Sequence, residues 1–111
     1  TLKELDVYYI KYVPVGMGRA GVPDYILNVN GIFVGLEAKR NAKQNPPTAL
    51  QNLNLLEISK GGGISIVVDE TNVEKLKDFL EKILVMLSPV SEEVLSEAEK
   101  FSASKIELKL D

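Results

Sequence analysis

Asn30-Gly31 lies at the centre of a stretch, Gly21 to Arg40, that is otherwise dominated by apolar and β-branched residues. Both residues of the dipeptide tolerate positive φ, so the pair predicts a two-residue type I′ turn between antiparallel strands. The register then follows by counting outward from the turn. Val29 faces Ile32, Leu27 faces Val34, Tyr25 faces Leu36, and Asp24 falls opposite Glu37. Side chains alternate along a strand. Tyr25, Leu27, Val29, Ile32, Val34, Leu36 and Ala38 therefore share one apolar face, which is expected to be the core side.

The opposite face carries Asp24, Ile26, Asn28, Phe33, Gly35, Glu37 and Lys39. Two carboxylates directly across an antiparallel pair repel one another. A shared proton, the Lys39 ammonium or a divalent cation held by hard oxygen ligands would offset the repulsion. A cation makes fullest use of both carboxylates, so Asp24 and Glu37 are candidate metal ligands.

The composition narrows the chemistry. With neither Cys nor His in its 111 residues, the chain has no thiol nucleophile, no disulfide, no Cys/His zinc site and no His-based triad. The length suits one domain with a modest core. No apolar run reaches a membrane span and no signal peptide is visible, so an intracellular, cytoplasmic protein is expected. The chain opens at Thr1 without a Met, as expected where an upstream segment has been removed. The net charge is −3, but residues 1–45 hold six basic against four acidic residues, and residues 69–111 six against eleven. Two of the four early acids are Asp24 and Glu37. A phosphate backbone would meet the first part of the chain and be repelled by the last.

In chain order, Val7–Val13 reads as a strand, and the Pro- and Gly-rich segment 14–21 as a loop that places Arg19 just before the site. An arginine there is either an ordinary solvated side chain or a phosphate contact. Pro23 restricts Val22 and its own φ, which fixes how Asp24 enters its strand. Residues 40–47 read as a loop. Thr48 to Gln51 matches a capping box, with a helix to about Lys60, a stripe of Leu50, Leu53 and Leu56, and a stop at Gly61–Gly63. Ile64–Val68 reads as a fully buried central strand. Thr71 to Glu74 suggests a second capping box, with Val73, Leu76, Leu80, Ile83, Leu84 and Leu87 as a stripe running to Ser88-Pro89. Ser91 is expected to cap a third helix burying Val94, Leu95, Ala98 and Phe101. Ile106, Leu108 and Leu110 alternate as in an edge strand or docking tail.

Pro23-Asp24 followed by Glu37-Ala38-Lys39 resembles the PD-(D/E)xK nuclease signature. GRAGVPD, GLEAKR and a Pro-Pro-Thr run leading to Gln51 are similar to its VRR-NUC branch, of the stand-alone phage type, over roughly residues 11–68. The resemblance implies an α/β fold with a restriction-endonuclease-like αβββαβ core, a central mixed β-sheet flanked by helices. In one domain spanning 1–111, that core would cover about 7–87, with an acidic helical extension over 88–111. It implies a Mg²⁺- or Mn²⁺-dependent endodeoxyribonuclease acting on branched, junction or flap DNA, in the host cytoplasm if phage-encoded. Asp24, Glu37, Lys39 and Gln51 would be catalytic, and Asp24, Glu37 and the Ala38 carbonyl would hold the metal. Gln51 has two readings, a return bond to the Thr48 backbone or a projection toward the site. The family's first helix, which supplies a further acidic ligand in many members, is here reduced to Leu2–Asp6; Glu4 is its one glutamate and stands poorly placed. Arg19, Lys11, Arg40 and Lys43 would contact DNA. The apolar surplus beyond Thr71 predicts a homodimer. The alternative is a catalytically silent module that binds DNA or assembles without cutting.

Overall fold

A computed structural model describes residues 2–13 and 18–106, and its architecture is a four-stranded mixed sheet with helices on both faces. The elements are β1 (Tyr8–Lys11), β2 (Tyr25–Val29), β3 (Ile32–Ala38), α1 (Ala49–Lys60), β4 (Ile64–Val68), a 3₁₀ turn (Val73–Lys75), α2 (Leu76–Leu84) and α3 (Glu92–Phe101). The strands lie in sequence order, antiparallel from β1 to β3 and parallel between β3 and β4. The parallel step requires a crossover, which α1 supplies.

The hairpin register is the one the turn dictates. Asn30 and Gly31 both have positive φ, at 54° and 82°, and Val29, Leu27 and Tyr25 pair with Ile32, Val34 and Leu36. Asn28 Oδ1 accepts a hydrogen bond from the Gly31 N–H at 2.9 Å. Asn30 has a second task. Its amide donates to the carbonyls of Ile83 at 3.1 Å and Met86 at 2.7 Å, tying the turn to the end of α2. Asn30→Ala should therefore destabilise the protein by about 1–2 kcal/mol in urea unfolding, through a lost cap and a strained left-handed turn. Asn30→Gly should recover only the turn component.

Leu27, Val29, Val34 and Leu36 on one sheet face meet Leu76, Leu80 and Ile83 of α2, the i, i+4, i+7 row of an amphipathic helix. Val68 closes the cluster from β4. Burial of these chains, at about 25 cal/mol per Å² of apolar surface, is the main stabilising term. Ala38, expected in this core, is exposed.

Four expectations need correction. The stripe Leu50, Leu53 and Leu56 of α1 is about half exposed at each position. The sheet is met instead by Gln51, Asn54, Leu55 and Ile58, the i, i+3, i+4, i+7 row one residue out of phase. β4 is an edge strand and not a central one. Residues 71–75 form no side-chain capping box, because the Thr71 N–H and hydroxyl both go to Asp69 Oδ1. The stripe beyond Ile83 is not covered: Leu87 is 95% exposed, and α3, though capped by Ser91 as expected, buries none of its residues. Among the described residues none buries its apolar side. The alternating segment from Ile106 to Leu110 lies outside the described residues, apart from the exposed Ile106.

Candidate metal centre

The second sheet face lies under α1. Gly35 makes this possible, since a Cβ there would stand 2.6 Å from Ile58 Cδ1 and 3.2 Å from Pro23 Cγ. Close docking of α1 has a consequence for Glu37, which is only 2% exposed. A carboxylate at such a position must be neutralised, hydrogen-bonded or matched by a cation.

The surroundings of Glu37 provide part of each. Gln51 Nε2 donates to its Oε1 at 3.4 Å, a long bond. Among the described residues no N–H or O–H group donates to Oε2, and a proton shared with Asp24 is the hydrogen bond open to the carboxyl. Asp24, one pair beyond the end of the β2–β3 ladder, is fixed by the Ala38 N–H donating to its Oδ2 at 2.9 Å and by the Tyr12 N–H donating to its backbone carbonyl at 2.8 Å. Burial, then the neighbouring charge of Asp24 and a hydrogen bond shared with it, push the Glu37 carboxyl up to about 7; the Lys39 ammonium opposes them. Asp24 and Lys39 are thus both close enough to Glu37 to bias its charge.

Gln51 does both things between which the sequence left a choice. Its Oε1 accepts from the Thr48 N–H at 2.9 Å, while Thr48 Oγ1 accepts from the Gln51 N–H at 3.2 Å, which completes the capping box. The amide nitrogen of the same side chain faces Glu37. An amide has an acceptor end and a donor end, so the cap orients the donor into the site.

The other sequence candidates are dispersed. Glu4 faces Lys77 at 3.5 Å, and among the described residues no group of three or more His, Cys, Asp or Glu side chains comes together. Glu4 is therefore not brought to the carboxylate pair. Leu2–Asp6, the segment to which the sequence reduces the first helix, forms turns and not a helix. Lys11 pairs with Tyr25 and so belongs to the α2 side of the sheet, opposite to Asp24 and Glu37. Arg40 and Lys43 are exposed on the loop after β3. Asp69 and Glu70 hold that loop by accepting from the N–H groups of Ala42 at 2.7 Å and Asn41 at 3.0 Å. The Asp69 carboxyl lies below its ordinary range, held there by Thr71 and Ala42 donors. Arg19 forms a 2.7 Å ion pair with Glu57.

Two residues escaped the sequence reading. Asn54 is buried, and its amide donates to the carbonyls of Ala20 at 3.3 Å and Leu50 at 2.9 Å, tying the loop before Asp24 to α1. Glu57 is the partner of Arg19. The signal for Asn54 was present: it stands three residues after Gln51, on whichever face Gln51 presents to the site.

These groups suit a hard divalent cation. Mg²⁺ is commonly held by one or two carboxylates with water and substrate phosphate completing the shell. The buried, unpartnered Oε2 of Glu37 beside Asp24 is an acceptor of that type. No protein-family model, curated protein or solved structure matches the chain.

Proposed function

We propose that this chain is a Mg²⁺- or Mn²⁺-dependent endodeoxyribonuclease, of the kind its resemblance to VRR-NUC proteins implies, acting on branched, junction or flap DNA. The observation that carries the reading is the buried Glu37 with its unpartnered oxygen beside Asp24. A plain surface ion-pair cluster would be solvated. The antiparallel hairpin, the α1 crossover and the parallel β4 also agree with the βββαβ part of an αβββαβ core.

A divalent cation, when bound, would supply Lewis-acid polarisation of a phosphoryl oxygen and a water of lowered pKa. Asp24, Glu37 and the Ala38 carbonyl would hold it. The chain's own part is preorganisation. The Ala38 N–H fixes one oxygen of Asp24 and Gln51 fixes one of Glu37, so among the described residues Oδ1 and Oε2 are the oxygens left without an N–H donor. Lys39, two residues beyond Glu37 on the same face, presents an ammonium that orients a water against phosphorus and stabilises charge developing on the phosphate. Arg40 and Lys43 add positive charge beside it. The enzyme would work in the cytoplasm, that of the host if phage-encoded. Among the described residues, no helix is long and apolar enough to cross a membrane.

A second reading, a silent DNA-binding or assembly module, is favoured by the pairing of Glu4 with Lys77 and by the absence of a third acid among the described residues. Cleavage of end-labelled junction, flap and linear DNA in Mg²⁺, Mn²⁺ or Ca²⁺ decides between them. Products in Mg²⁺ or Mn²⁺ are expected. Binding without products in any metal would establish the silent module.

The same reading includes a homodimer through residues beyond Thr71, since two cuts on antiparallel strands need two opposed sites. Its material is the exposed apolar set Val85, Leu87, Val94, Leu95 and Phe101, in an acidic region unsuited to DNA. Light scattering at micromolar concentration should give twice the chain mass. A monomer that still cuts both strands of a junction would exclude the dimer.

A further inference from the structure

An open cleft of about 400 Å³ lies on the sheet face that carries Asp24 and Glu37, with Val22, Pro23, Ile26, Phe33 and Ile58 as its apolar lining and Arg19 at its rim. Ile58 and Pro23, which close over Gly35, form one wall of it. We propose that this cleft takes an unpaired nucleobase of a DNA strand whose phosphate lies at Asp24, Glu37 and Lys39. The inference rests on the nuclease reading.

Three observations favour a base over other occupants. The first is continuity. Ile26 and Phe33 belong to the same sheet face as Asp24 and Glu37, and Pro23 both lines the cleft and precedes Asp24. Ile26 stands two residues from Asp24, about 7 Å along a strand. That is roughly the phosphate spacing of an extended strand, about twice the 3.4 Å rise of a stacked one. A strand anchored at the carboxylates and running along the hairpin therefore brings its adjacent nucleotide over the cleft.

The second is chemistry. Phe33 is an aromatic side chain 48% exposed on a rigid hairpin, and bases of any identity stack on such a surface. The third is the state of Arg19. Its pair with Glu57 is more than half exposed at both ends, so it contributes little and is cheaply exchanged for a base edge or phosphate. A base-paired, stacked nucleotide keeps its rings in the duplex and offers the cleft nothing. The cleft accordingly selects DNA with unpaired nucleotides beside the scissile phosphate, as at a flap or branch.

The chain contains no tryptophan, so Phe33→Trp introduces a single indole at the cleft. With Ca²⁺ in place of Mg²⁺, its fluorescence should be quenched by flap DNA and little affected by a fully paired duplex of equal length. Phe33→Ala should lose about tenfold in affinity for the flap, the size expected for one stacked base, with duplex affinity unchanged. Phe33→Leu, which keeps apolar volume but not the ring face, should behave like Phe33→Ala. Equal quenching by both DNAs, or an unchanged flap preference in Phe33→Ala and Phe33→Leu, would overturn the cleft alone, provided the wild type cuts DNA in Mg²⁺. Failure of the wild type to bind or cut any DNA would overturn the nuclease reading and the cleft together.

Discussion

Lys39→Ala should reduce junction cleavage by about 10²–10⁴-fold, the range for loss of a group acting on proton transfer in the transition state. Mn²⁺ affinity and DNA affinity should change little, because the ammonium holds no metal and Arg40 and Lys43 on the adjoining loop remain. Asp24→Asn should be as inactive for a different reason, with Mn²⁺ binding weakened in calorimetric titration. Its thermal stability should stay level or rise. The Asn Oδ1 still accepts from the Ala38 N–H, which now bonds Asp24 Oδ2 at 2.9 Å, while the repulsion with Glu37 is gone. The two variants thus separate in metal binding although both lose turnover. Wild-type turnover in Lys39→Ala would remove the lysine from the mechanism.

Metal-free protein should lose stability as pH rises from about 4.5 to 7, with Glu37 the source. Its carboxyl titrates at about 7 in the folded chain against an ordinary 4.5. Through that window the folded state retains a proton that the unfolded chain has released. The stabilisation is complete below the ordinary value and is lost as pH climbs through the folded one, on the order of 3 kcal/mol in all. Asp69 acts in the opposite sense and elsewhere. Its lowered carboxyl contributes above its ordinary range and fails only as pH falls to the acid end. Glu37→Gln should flatten the slope between pH 5 and 7.5, because an uncharged amide has no proton to lose and can donate to Asp24. Mg²⁺ should reverse the wild-type trend, stabilising more at pH 8 than at pH 5, since a cation competes with the proton for the same oxygens. Melting curves at fixed ionic strength would show both effects. A wild-type melting temperature that is flat from pH 5 to 7.5 would mean that Glu37 is not protonated at neutral pH.

The carboxylate pair was legible in the sequence because each step leading to it is local. A type I′ turn admits few residues, a two-residue loop leaves one register, and period-two alternation assigns faces without further information. Asn30-Gly31 therefore located Asp24 against Glu37 before any fold was known. The Thr48 capping box and the start of α1 were legible for the same reason, since caps are contacts between residues three apart.

The facing of α1 was not legible. Leu50, Leu53 and Leu56 recur at a spacing compatible with a helix, but burial went to Gln51, Asn54, Leu55 and Ile58. An apolar-count argument selects the wrong row when the buried face contains polar groups, and here it must, because it covers a carboxylate and the carbonyl of Ala20. The helices after Ile83 show the converse case. Their stripes are real at the level of sequence, yet among the described residues no surface buries them.

What the sequence by itself determined is the hairpin, its register and hence the neighbours Asp24, Glu37 and Lys39, because turn chemistry and alternation act over a few residues. What only the tertiary structure decided is that Glu37 is buried, that Gln51 serves cap and carboxylate together, that Arg19 pairs with Glu57, and that Lys11 and Glu4 stand away from the site. Each depends on how α1 and α2 dock on opposite faces of the sheet. That docking is set by side-chain volume at positions distant in sequence, such as Gly35 beneath Ile58, and no local pattern encodes it.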